Sequence, residues 1–288
     1  MISAKTRICG LIGDPVVHSV SPVMHNASFK KLGLDYIYLP FKVETHNLYG
    51  AIAGVKTLGI RGFNVTIPHK VAVIPLLDEL ESLAMKIGAV NTIVNDEGCF
   101  KGYNTDADGF LKALLEKDIQ PKGKKAIVLG AGGASRAISF ILAEKGAEIV
   151  ILNRKLELNW ALELANKISL FSKTEARAME LTDDNLSLAL DAADILVNAT
   201  SVGMSPNIDR SLVPKNLLKP GLVVFDAVYN PLKTRLLSDA ELAGAKTISG
   251  IEMLVWQGAL AFELWTGFRA PLDVMKKEAI KLLKDHED

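Results

Sequence analysis

Cysteine is scarce in this sequence, and an excess of charge of either sign is missing. Only Cys9 and Cys99 occur, which excludes a disulfide framework and indicates a reducing compartment. The 33 basic residues balance 33 acidic ones, so we expect no nucleic-acid-binding surface and no attraction to anionic membranes. No run of about 18 apolar residues is present, and charges and glycines interrupt the N-terminal stretch where a signal peptide needs apolar residues. The sequence predicts a soluble, cytoplasmic protein.

Metal-ligand spacing is also missing. His18, His25 and His69 are not spaced with cysteines or carboxylates as in known metal sites, so we predict no metal. No internal repeat and no low-complexity tract occurs, so the chain is read as globular along its whole length.

Short strand-like runs alternate with helical patterns along most of the chain. A polar break at residues 118–124 is followed by a clean restart of the alternation. Strands are predicted at ICGLIG (8–13), YIYLPFKV (36–43), GFNVTI (62–67), a hairpin of AVNTIVN (89–95) and CFKGY (99–103), KAIVLG (125–130), EIVIL (148–152), DILVNA (194–199) and LVVFDAV (222–228). The tail is helical instead, over residues 251–265 and again after Pro271. This order predicts an α/β protein with mainly parallel sheets covered by helices.

A glycine-rich turn lies between a predicted strand and a predicted helix, in IVLGAGGASRA (127–137). Gly130, Gly132 and Gly133 allow a tight turn that brings the backbone close to a pyrophosphate, and the helix N-terminus offers N–H groups and a positive dipole. Ser135 occupies the place of the third glycine in the usual fingerprint. The pattern predicts dinucleotide binding, and the alternative is a plain tight turn.

The following strand ends in Asn153, Arg154 and Lys155 rather than in the carboxylate that usually binds an NAD ribose. Two cations suit a 2′-phosphate, so NADP is favoured over NAD. Glu157 lies close enough to keep NAD open, and the cations could also be ordinary solvated surface charges.

Polar side chains cluster at predicted strand ends in the first part of the chain. Lys70 follows the strand GFNVTI, where ligands of α/β proteins bind, and with Asp106 it could provide an acid–base pair. Ser19 and Ser21 place two hydroxyls on an extended segment that could bind a carboxylate, although Ser21 could instead be an N-cap before Pro22.

The motifs HSVSP, FNVTIPHK, GAVNTIV, GYNTDADG, GAGGASRA, NATSVGM, DAVYNP and GIEMLVWQGALAFELWTG follow one another in the order found in the shikimate dehydrogenase (shikimate/quinate dehydrogenase) family, which the sequence resembles over nearly its whole length. The resemblance implies an oxidoreductase that reversibly reduces 3-dehydroshikimate to shikimate with NADPH, on the route to aromatic amino acids. It also implies two domains. We expect an α/β substrate domain at residues 1–106, completed by C-terminal helices at 250–288, and a Rossmann-type NADP-binding domain at 107–249.

The resemblance also assigns roles to individual residues. Lys70 and Asp106 would form the catalytic pair. The substrate carboxylate would be held by Ser19 and Ser21, and the ring hydroxyls by Thr66, Asn91, Asp106 and Gln257, with Tyr229 nearby. The cofactor would be held by Gly130, Gly132, Gly133, Ser135 and Arg136 at the pyrophosphate, by Asn153 and Arg154 at the adenosine ribose and its phosphate, and by Val228, Gly250 and Met253 near the nicotinamide.

One motif departs from the family pattern. NADP-specific members carry NRTxxR after the second strand, whereas this chain has NRKLEL, with Lys155 for the threonine and Leu158 for the second arginine. The alternative of a quinate/shikimate dehydrogenase that uses NAD therefore stays open, as does the use of quinate as a substrate. A non-catalytic ligand sensor on the same fold is disfavoured because Lys70 and Asp106 are both present. The sequence leaves open whether the chain is a monomer or a homodimer.

Overall fold

A computed structural model describes residues 2–285, so the end of the predicted helical segment, 286–288, lies outside the described residues. The described chain divides into two units, one formed by residues 2–109 and 255–285 and the other by Phe110–Leu254. Both divisions fall inside helices, whereas the sequence placed them at 106/107 and 249/250. The middle of a helix shows no change of composition, so the sequence gives no signal there. Among the described residues no helix is long and apolar enough to cross a membrane.

The first unit contains a six-stranded sheet with the order β2-β1-β3-β5-β6-β4. Strands β1, β2 and β3 run parallel, and β5 and β6 form an antiparallel hairpin against β3. The elements are β1 Arg7–Gly13, α1 Ser21–Lys31, β2 Tyr36–Lys42, α2 Leu48–Thr57, β3 Gly62–Val65, β4 Glu79–Leu80, α3 Ser82–Ile87, β5 Thr92–Asp96, β6 Cys99–Tyr103, α4 Thr105–Leu115, α9 Gly250–Thr266 and α10 Leu272–Asp285.

The β5–β6 hairpin follows from its turn residues. Asp96 pairs with Cys99, so Glu97 and Gly98 form a two-residue loop, and both have positive φ angles, 50° and 93°. Positive φ at both loop positions matches the twist of the flanking strands, and a glycine adopts it without steric cost. The hairpin brings Asn91, just before β5, next to the residues just after β6.

Helix α9 packs on the sheet of the first unit at a glycine. Trp265 is fully buried, and its indole N–H donates to the carbonyl oxygen of Ile93 at 3.0 Å. A Cβ atom at Gly62 would lie only 2.4 Å from the indole nitrogen and 2.5 Å from the Ile93 oxygen. The absence of a side chain at Gly62 therefore lets α9 lie flat on β3, and this fixes the helix that carries Gln257.

The outer edge of β2 is closed by a side chain from α1. Asn26 donates through Nδ2 to the carbonyl oxygen of Tyr38 at 2.9 Å, and its Oδ1 accepts from the Tyr38 N–H at 2.8 Å. Two residues further along β2, Pro40 has no N–H to offer. The amide of Asn26 thus occupies the positions that a further strand would take.

The second unit contains a parallel six-stranded sheet with the order β9-β8-β7-β10-β11-β12, which is the doubly wound dinucleotide-binding order 3-2-1-4-5-6. Its elements are β7 Lys125–Leu129, α5 Gly133–Glu144, β8 Glu148–Asn153, α6 Leu158–Phe171, β9 Ala176–Glu180, α7 Asp183–Asp191, β10 Ile195–Asn198, β11 Val223–Asp226, α8 Arg235–Leu242 and β12 Lys246–Ser249. The predicted α/β fold class with a Rossmann-type domain is confirmed.

Two strands of this sheet, β9 and β12, were not predicted. Both are edge strands with one neighbour each, and their residues are mostly half-buried or exposed. Without a buried apolar run, the sequence shows no strand pattern there. The four inner strands are buried and pack with α7 and α8 into one apolar core that includes Leu129, Leu196, Val224 and Leu237.

Candidate active site

Lys70 is held on a short turn after β3. The backbone N–H of His69 donates to the carbonyl oxygen of Thr66 at 2.9 Å, and the buried His69 ring bonds the carbonyl oxygen of Val43 through Nε2 at 2.6 Å. The carbonyl of Lys70 itself accepts from the N–H of Val90 at 2.8 Å. The turn is fixed from both sides, so the direction of the lysine side chain is determined by the fold.

Lys70 and Asp106 form a buried ion pair. The lysine Nζ lies 2.6 Å from Asp106 Oδ2, and the side chains are only 15% and 7% exposed. An ammonium group carries three N–H donors, and within residues 2–285 the only hydrogen bond that Nζ donates is the one to Asp106. A partly buried cation with donors to spare, fixed beside a carboxylate, is equipped to bind and protonate a ligand oxygen.

Asn91 connects the residues around this pair. Its Nδ2 donates to Asp106 Oδ1 at 2.9 Å and lies 3.0 Å from Thr105 Oγ1 and 3.3 Å from Gln257 Oε1. Its Oδ1 accepts from the backbone N–H of Thr105 at 2.7 Å. Asn91 thereby fixes both the first turn of α4 and the carboxylate of Asp106, so one oxygen of Asp106 serves Asn91 and the other serves Lys70.

Gln257 reaches this cluster because α4 and α9 approach closely at Gly109. A Cβ atom at Gly109 would lie 2.8 Å from the backbone nitrogen of Gln257 and 2.9 Å from its Cβ. A backbone atom cannot give way as a flexible side-chain end can. The sequence-predicted residues Lys70, Asn91, Asp106 and Gln257 are therefore brought together within the first unit.

A second layer of polar side chains supports the cluster, and sequence reasoning missed it. Buried Asn64 donates to Thr92 Oγ1 at 3.0 Å and accepts from the Tyr38 hydroxyl at 2.7 Å. Burial raises the pKa of Tyr38 well above its ordinary value, so the phenol stays neutral and remains a donor. Asn64 stands in the middle of the apolar strand GFNV, and an amide there was a usable signal, because buried polar groups need partners.

At the start of α1 it is the hydroxyl of Ser19, and not that of Ser21, that accepts a backbone hydrogen bond. The helix α1 begins at Ser21 with Val20 as its N-cap residue, so Ser21 is not the cap. Instead the Ser19 hydroxyl oxygen accepts from the backbone N–H of Ser21 at 3.3 Å, which leaves the Ser19 proton to donate elsewhere. A hydrogen bond with the Ser21 side chain lowers the pKa of Tyr38, against the larger effect of burial.

Two further predicted substrate residues stand apart from this network. Thr66 follows β3 directly, and within residues 2–285 its hydroxyl makes no hydrogen bond, although its backbone N–H donates to the carbonyl of Ile12 at 2.9 Å. Tyr229 is half-buried and belongs to the second unit.

The glycine turn of the second unit fits a dinucleotide pyrophosphate. Gly130 has a φ of 98°, and a Cβ atom there would lie 2.8 Å from Thr200 Cγ2. Ser135 Oγ donates to the carbonyl oxygen of Gly130 at 2.6 Å and ties the turn to α5. No atom lies within 4 Å of the Cβ position at Gly132, so the space in front of the helix N-terminus is open. Half-buried Arg136 follows one turn into α5.

The end of β8 presents a cation beside its own counter-ion. Arg154 is 68% exposed, and its guanidinium pairs with the carboxylate of Glu157, which lowers the pKa of Glu157 below its ordinary value through their hydrogen bond. Asn153 is buried and donates through Nδ2 to the carbonyl oxygen of Glu157 at 2.8 Å. Lys155 is exposed. Arg154 and Lys155 are thus exposed cations of the kind that bind a ribose phosphate, and the Glu157 carboxylate competes for Arg154.

The remaining predicted cofactor residues lie at the carboxyl ends of β11 and β12. A Cβ atom at Gly250 would lie 2.4 Å from the carbonyl oxygen of Ala227 and 2.7 Å from that of Val228. Gly250 therefore lets the start of α9 touch the segment after β11. Val228 and Met253 are both buried.

These features define a class of protein. The second unit has the strand order, the open glycine turn and the exposed cations of a dinucleotide-binding domain, and the first has a buried lysine–aspartate pair among hydroxyl and amide groups. Together they characterise an α/β oxidoreductase of the two-domain, dinucleotide-dependent kind.

Comparisons with known proteins identify the family. One family model, the shikimate dehydrogenase substrate binding domain, matches residues 11–93. Two further models, shikimate / quinate 5-dehydrogenase and the shikimate 5'-dehydrogenase C-terminal domain, match residues 113–226 and 250–280. The chain belongs to the shikimate dehydrogenase family, as the sequence motifs predicted.

Individual relatives agree with this assignment over the full length. A protein of Methanopyrus kandleri named shikimate dehydrogenase (NADP(+)) is 52% identical over 286 residues, which are 98% of each chain. A crystal structure of shikimate dehydrogenase in complex with NADP+ has a TM-score of 0.90 at 45% identity and covers 98% of this chain and 97% of that chain. Shikimate 5-dehydrogenase from Listeria monocytogenes, in complex with shikimate and NAD, has a TM-score of 0.90 at 41% identity and covers 96% of this chain and 97% of that chain.

Proposed function

We propose that this chain catalyses the reversible reduction of 3-dehydroshikimate to shikimate with NADPH, a step of aromatic amino acid biosynthesis that takes place in the cytoplasm. The observation that carries the proposal is the buried Lys70–Asp106 pair with spare lysine donors. The names and ligands of the full-length relatives support the same activity. The substrate and the cofactor are both small molecules, and the protein acts as a monomer or a homodimer.

Lys70 moves the proton. In the reductive direction the substrate carbonyl oxygen gains negative charge as its carbon accepts hydride, and a positioned ammonium group stabilises that oxygen and protonates it. Asp106 keeps the ammonium in place through its Oδ2 at 2.6 Å, and Asn91 keeps Asp106 in place through its Oδ1 at 2.9 Å. In the oxidative direction the neutral amine of Lys70 takes the hydroxyl proton back.

The substrate is held by hydroxyl and amide groups of the first unit. Ser19 and Ser21 bind the carboxylate, with Ser19 the stronger donor because its proton is not used within the protein. Thr66, Asn91, Asp106 and Gln257 bind the ring hydroxyls, and the motifs also assign Tyr229 to the substrate. Each of these contacts is a prediction based on the motifs, and the clustering of Asn91, Asp106 and Gln257 supports it.

The second unit holds the dinucleotide. Bound NADPH supplies the hydride. Gly130, Gly132, Gly133, Ser135 and Arg136 hold the pyrophosphate, since the turn is open in front of the helix N-terminus. Asn153 and Arg154 hold the adenosine ribose and its 2′-phosphate, and Val228, Gly250 and Met253 lie on the nicotinamide side.

The second candidate function is a quinate/shikimate dehydrogenase that uses NAD. One observation favours it, the pairing of Arg154 with Glu157. The carboxylate of Glu157 competes with the 2′-phosphate of NADP for the guanidinium of Arg154. Quinate differs from shikimate by an extra hydroxyl on the ring carbon that bears the carboxylate, so the residues that bind the carboxylate, Ser19 and Ser21, determine the choice between the two acids.

Steady-state oxidation of shikimate and of quinate, each with NADP and with NAD, tests both candidates in one set of assays. We expect the highest kcat/KM for shikimate with NADP. A higher kcat/KM for quinate with NAD would support the second candidate, and no oxidation in any of the four assays would contradict both.

A further inference from the structure

Asp226, at the carboxyl end of β11, is a fully buried carboxylate that the sequence-predicted site does not include. Its Oδ1 accepts from Asn198 Nδ2 at 2.8 Å and from the backbone N–H of Val228 at 3.0 Å. Its Oδ2 accepts from Thr234 Oγ1 at 2.6 Å. Within residues 2–285 no cation pairs with it, and burial raises the pKa of Asp226 to about 6. Burying a carboxylate without a counter-ion destabilises the folded protein, so a functional role for Asp226 is worth seeking.

One arm of this network reaches the glycine turn. Asn198, at the end of β10, donates to Asp226, and its Oδ1 accepts from Thr200 Oγ1 at 2.7 Å and from the Thr200 N–H at 3.1 Å. The methyl of Thr200 lies 2.8 Å from the Cβ position of Gly130. Asp226 therefore fixes the position of Asn198, and Asn198 fixes the position of Thr200 beside the glycine turn.

The other arm reaches the segment proposed for the nicotinamide side. The Val228 N–H is bonded to the carboxylate directly, and the carbonyl oxygens of Ala227 and Val228 lie against Gly250. Thr234 closes the segment, because its Oγ1 both donates to Asp226 and accepts from the backbone N–H of Leu237 at the start of α8. A single carboxylate thus fixes both ends of residues 227–234.

We propose that Asp226 is a positioning residue that fixes the nicotinamide end of the dinucleotide site while leaving the adenosine end unaffected. The inference rests on the proposed function, because it takes Val228 and Gly250 as the nicotinamide side. It assigns the role to the two bonds at Oδ1 rather than to the negative charge. An asparagine keeps an acceptor at that atom, and it can donate to Thr234 in place of Oδ2.

The test compares NADP with adenosine 2′-monophosphate, which carries the adenosine and its 2′-phosphate but neither phosphate of the pyrophosphate. We expect Asp226→Ala to raise the Kd of NADP, measured by calorimetry, about tenfold or more, as for loss of a hydrogen bond to a charged group. The Kd of the monophosphate should stay within about twofold, which is within the scatter of such free energies. Asp226→Asn should bind both as the wild type does.

Hydrogen exchange in the unliganded protein gives a readout that does not depend on activity. The Val228 amide should exchange faster in Asp226→Ala and at the wild-type rate in Asp226→Asn, while amides of β7 and β8 stay protected. Asp194→Ala is the matched control, because Asp194 also accepts a backbone N–H, that of Lys125 at 2.9 Å, but at the amino end of β10. It should change neither the exchange of Val228 nor the NADP affinity.

The outcomes separate the inference from the proposed function. A wild-type protein that binds neither NADP nor the monophosphate would contradict both. A wild type that binds both, with an Asp226→Ala variant that weakens them equally or not at all, would overturn the positioning role alone. If Asp226→Ala does not fold, Asn198→Ala decides, because it cuts the arm to Thr200 and leaves the carboxylate bonded. It should weaken NADP in the same direction, and an unchanged ratio of the two Kd values would refute the inference.

Discussion

Replacing Lys70 with methionine separates the chemistry of the lysine from its contribution to the fold. Methionine keeps an unbranched side chain of similar length and removes the charge and all three donors. If Lys70 is the proton donor, kcat for shikimate oxidation should fall by roughly 10²–10⁴-fold. The KM for shikimate should change far less, because the substrate is held mainly by hydroxyl and amide groups around Asn91.

The same substitution leaves the buried carboxylate of Asp106 without its cation. Asp106 is 7% exposed and would keep one partner, Asn91 Nδ2 at 2.9 Å. Removing one member of a buried ion pair costs about 3–5 kcal/mol, and because the lysine head is partly open to solvent we expect about 3 kcal/mol. Urea unfolding measures this loss. The double variant Lys70→Met/Asp106→Asn should recover most of the stability, since the carboxylate is no longer charged, and should recover none of the activity.

Lys56→Met is the matched control. Lys56 forms a pair with Asp78 at 2.8 Å in the same unit, but both side chains are more than 40% exposed, at 44% and 43%. An exposed pair contributes about 0–1 kcal/mol, so this variant should keep its stability nearly and its kcat fully. Two results would refute the reasoning: a Lys70→Met enzyme with most of its kcat, or a double variant whose activity returns together with its stability.

Three further predictions concern the substrate carboxylate, the cofactor phosphate and the buried histidine. Ser19→Ala should raise the KM for shikimate about 10- to 150-fold with a small loss of melting temperature. Ser21→Ala should raise the KM less and lower the melting temperature more, because Ser21 is buried. Equal KM values in both variants and the wild type would remove the serines from the site. Arg154→Ala should raise the KM for NADP by a similar factor and leave the KM for NAD nearly unchanged. Glu157→Gln should lower the KM for NADP, because it removes the carboxylate that pairs with the arginine. An equal rise of both KM values in Arg154→Ala would count against phosphate recognition. Burial lowers the pKa of His25 to about 3, so its native state excludes a proton that the unfolded chain binds near pH 6.5. The free energy of unfolding that depends on this is fully present above that pH and falls on acidification, by about 1 kcal/mol between pH 6.5 and 5.5. A His25→Phe variant should lack this loss in urea unfolding. Identical pH dependence in both proteins would contradict the assignment.

The strand ends were the part of the site that sequence reasoning could find. Lys70 follows β3, Asp106 follows β6, and Asn91 precedes β5. Because β5 runs antiparallel to both of the other strands, these three positions meet at one edge of the sheet. The role of Asn91 as a connecting residue was out of reach, because one of its contacts is Gln257, which lies 166 residues away in the chain. No local sequence pattern predicts that α4 and α9 approach closely, because that approach depends on Gly109 in α4.

Small displacements along the chain account for the other differences. The helix α1 begins one residue earlier than a Ser21 cap requires, so Ser21 becomes its first residue and its backbone N–H donates to the Ser19 hydroxyl. Helix ends are the least certain feature of any sequence pattern, because propensities change little across them. Asp226 was overlooked for another reason. It stands inside the predicted strand LVVFDAV (222–228), and only the structure shows that three donors enclose it at the end of β11.

The clamp that Asn26 places on Tyr38 bears on how the chain avoids aggregation. Strand β2 is a sheet edge, and an edge with unused N–H and C=O groups can recruit a strand from another molecule. Parallel sheets assemble slowly, so such an edge would stay exposed while the distant parts of the chain are still unfolded. The two hydrogen bonds from Asn26 span only 12 residues of sequence, and they can therefore form as soon as α1 and β2 meet. A helix side chain thus closes the edge during folding, before the C-terminal helices have arrived to complete the first unit.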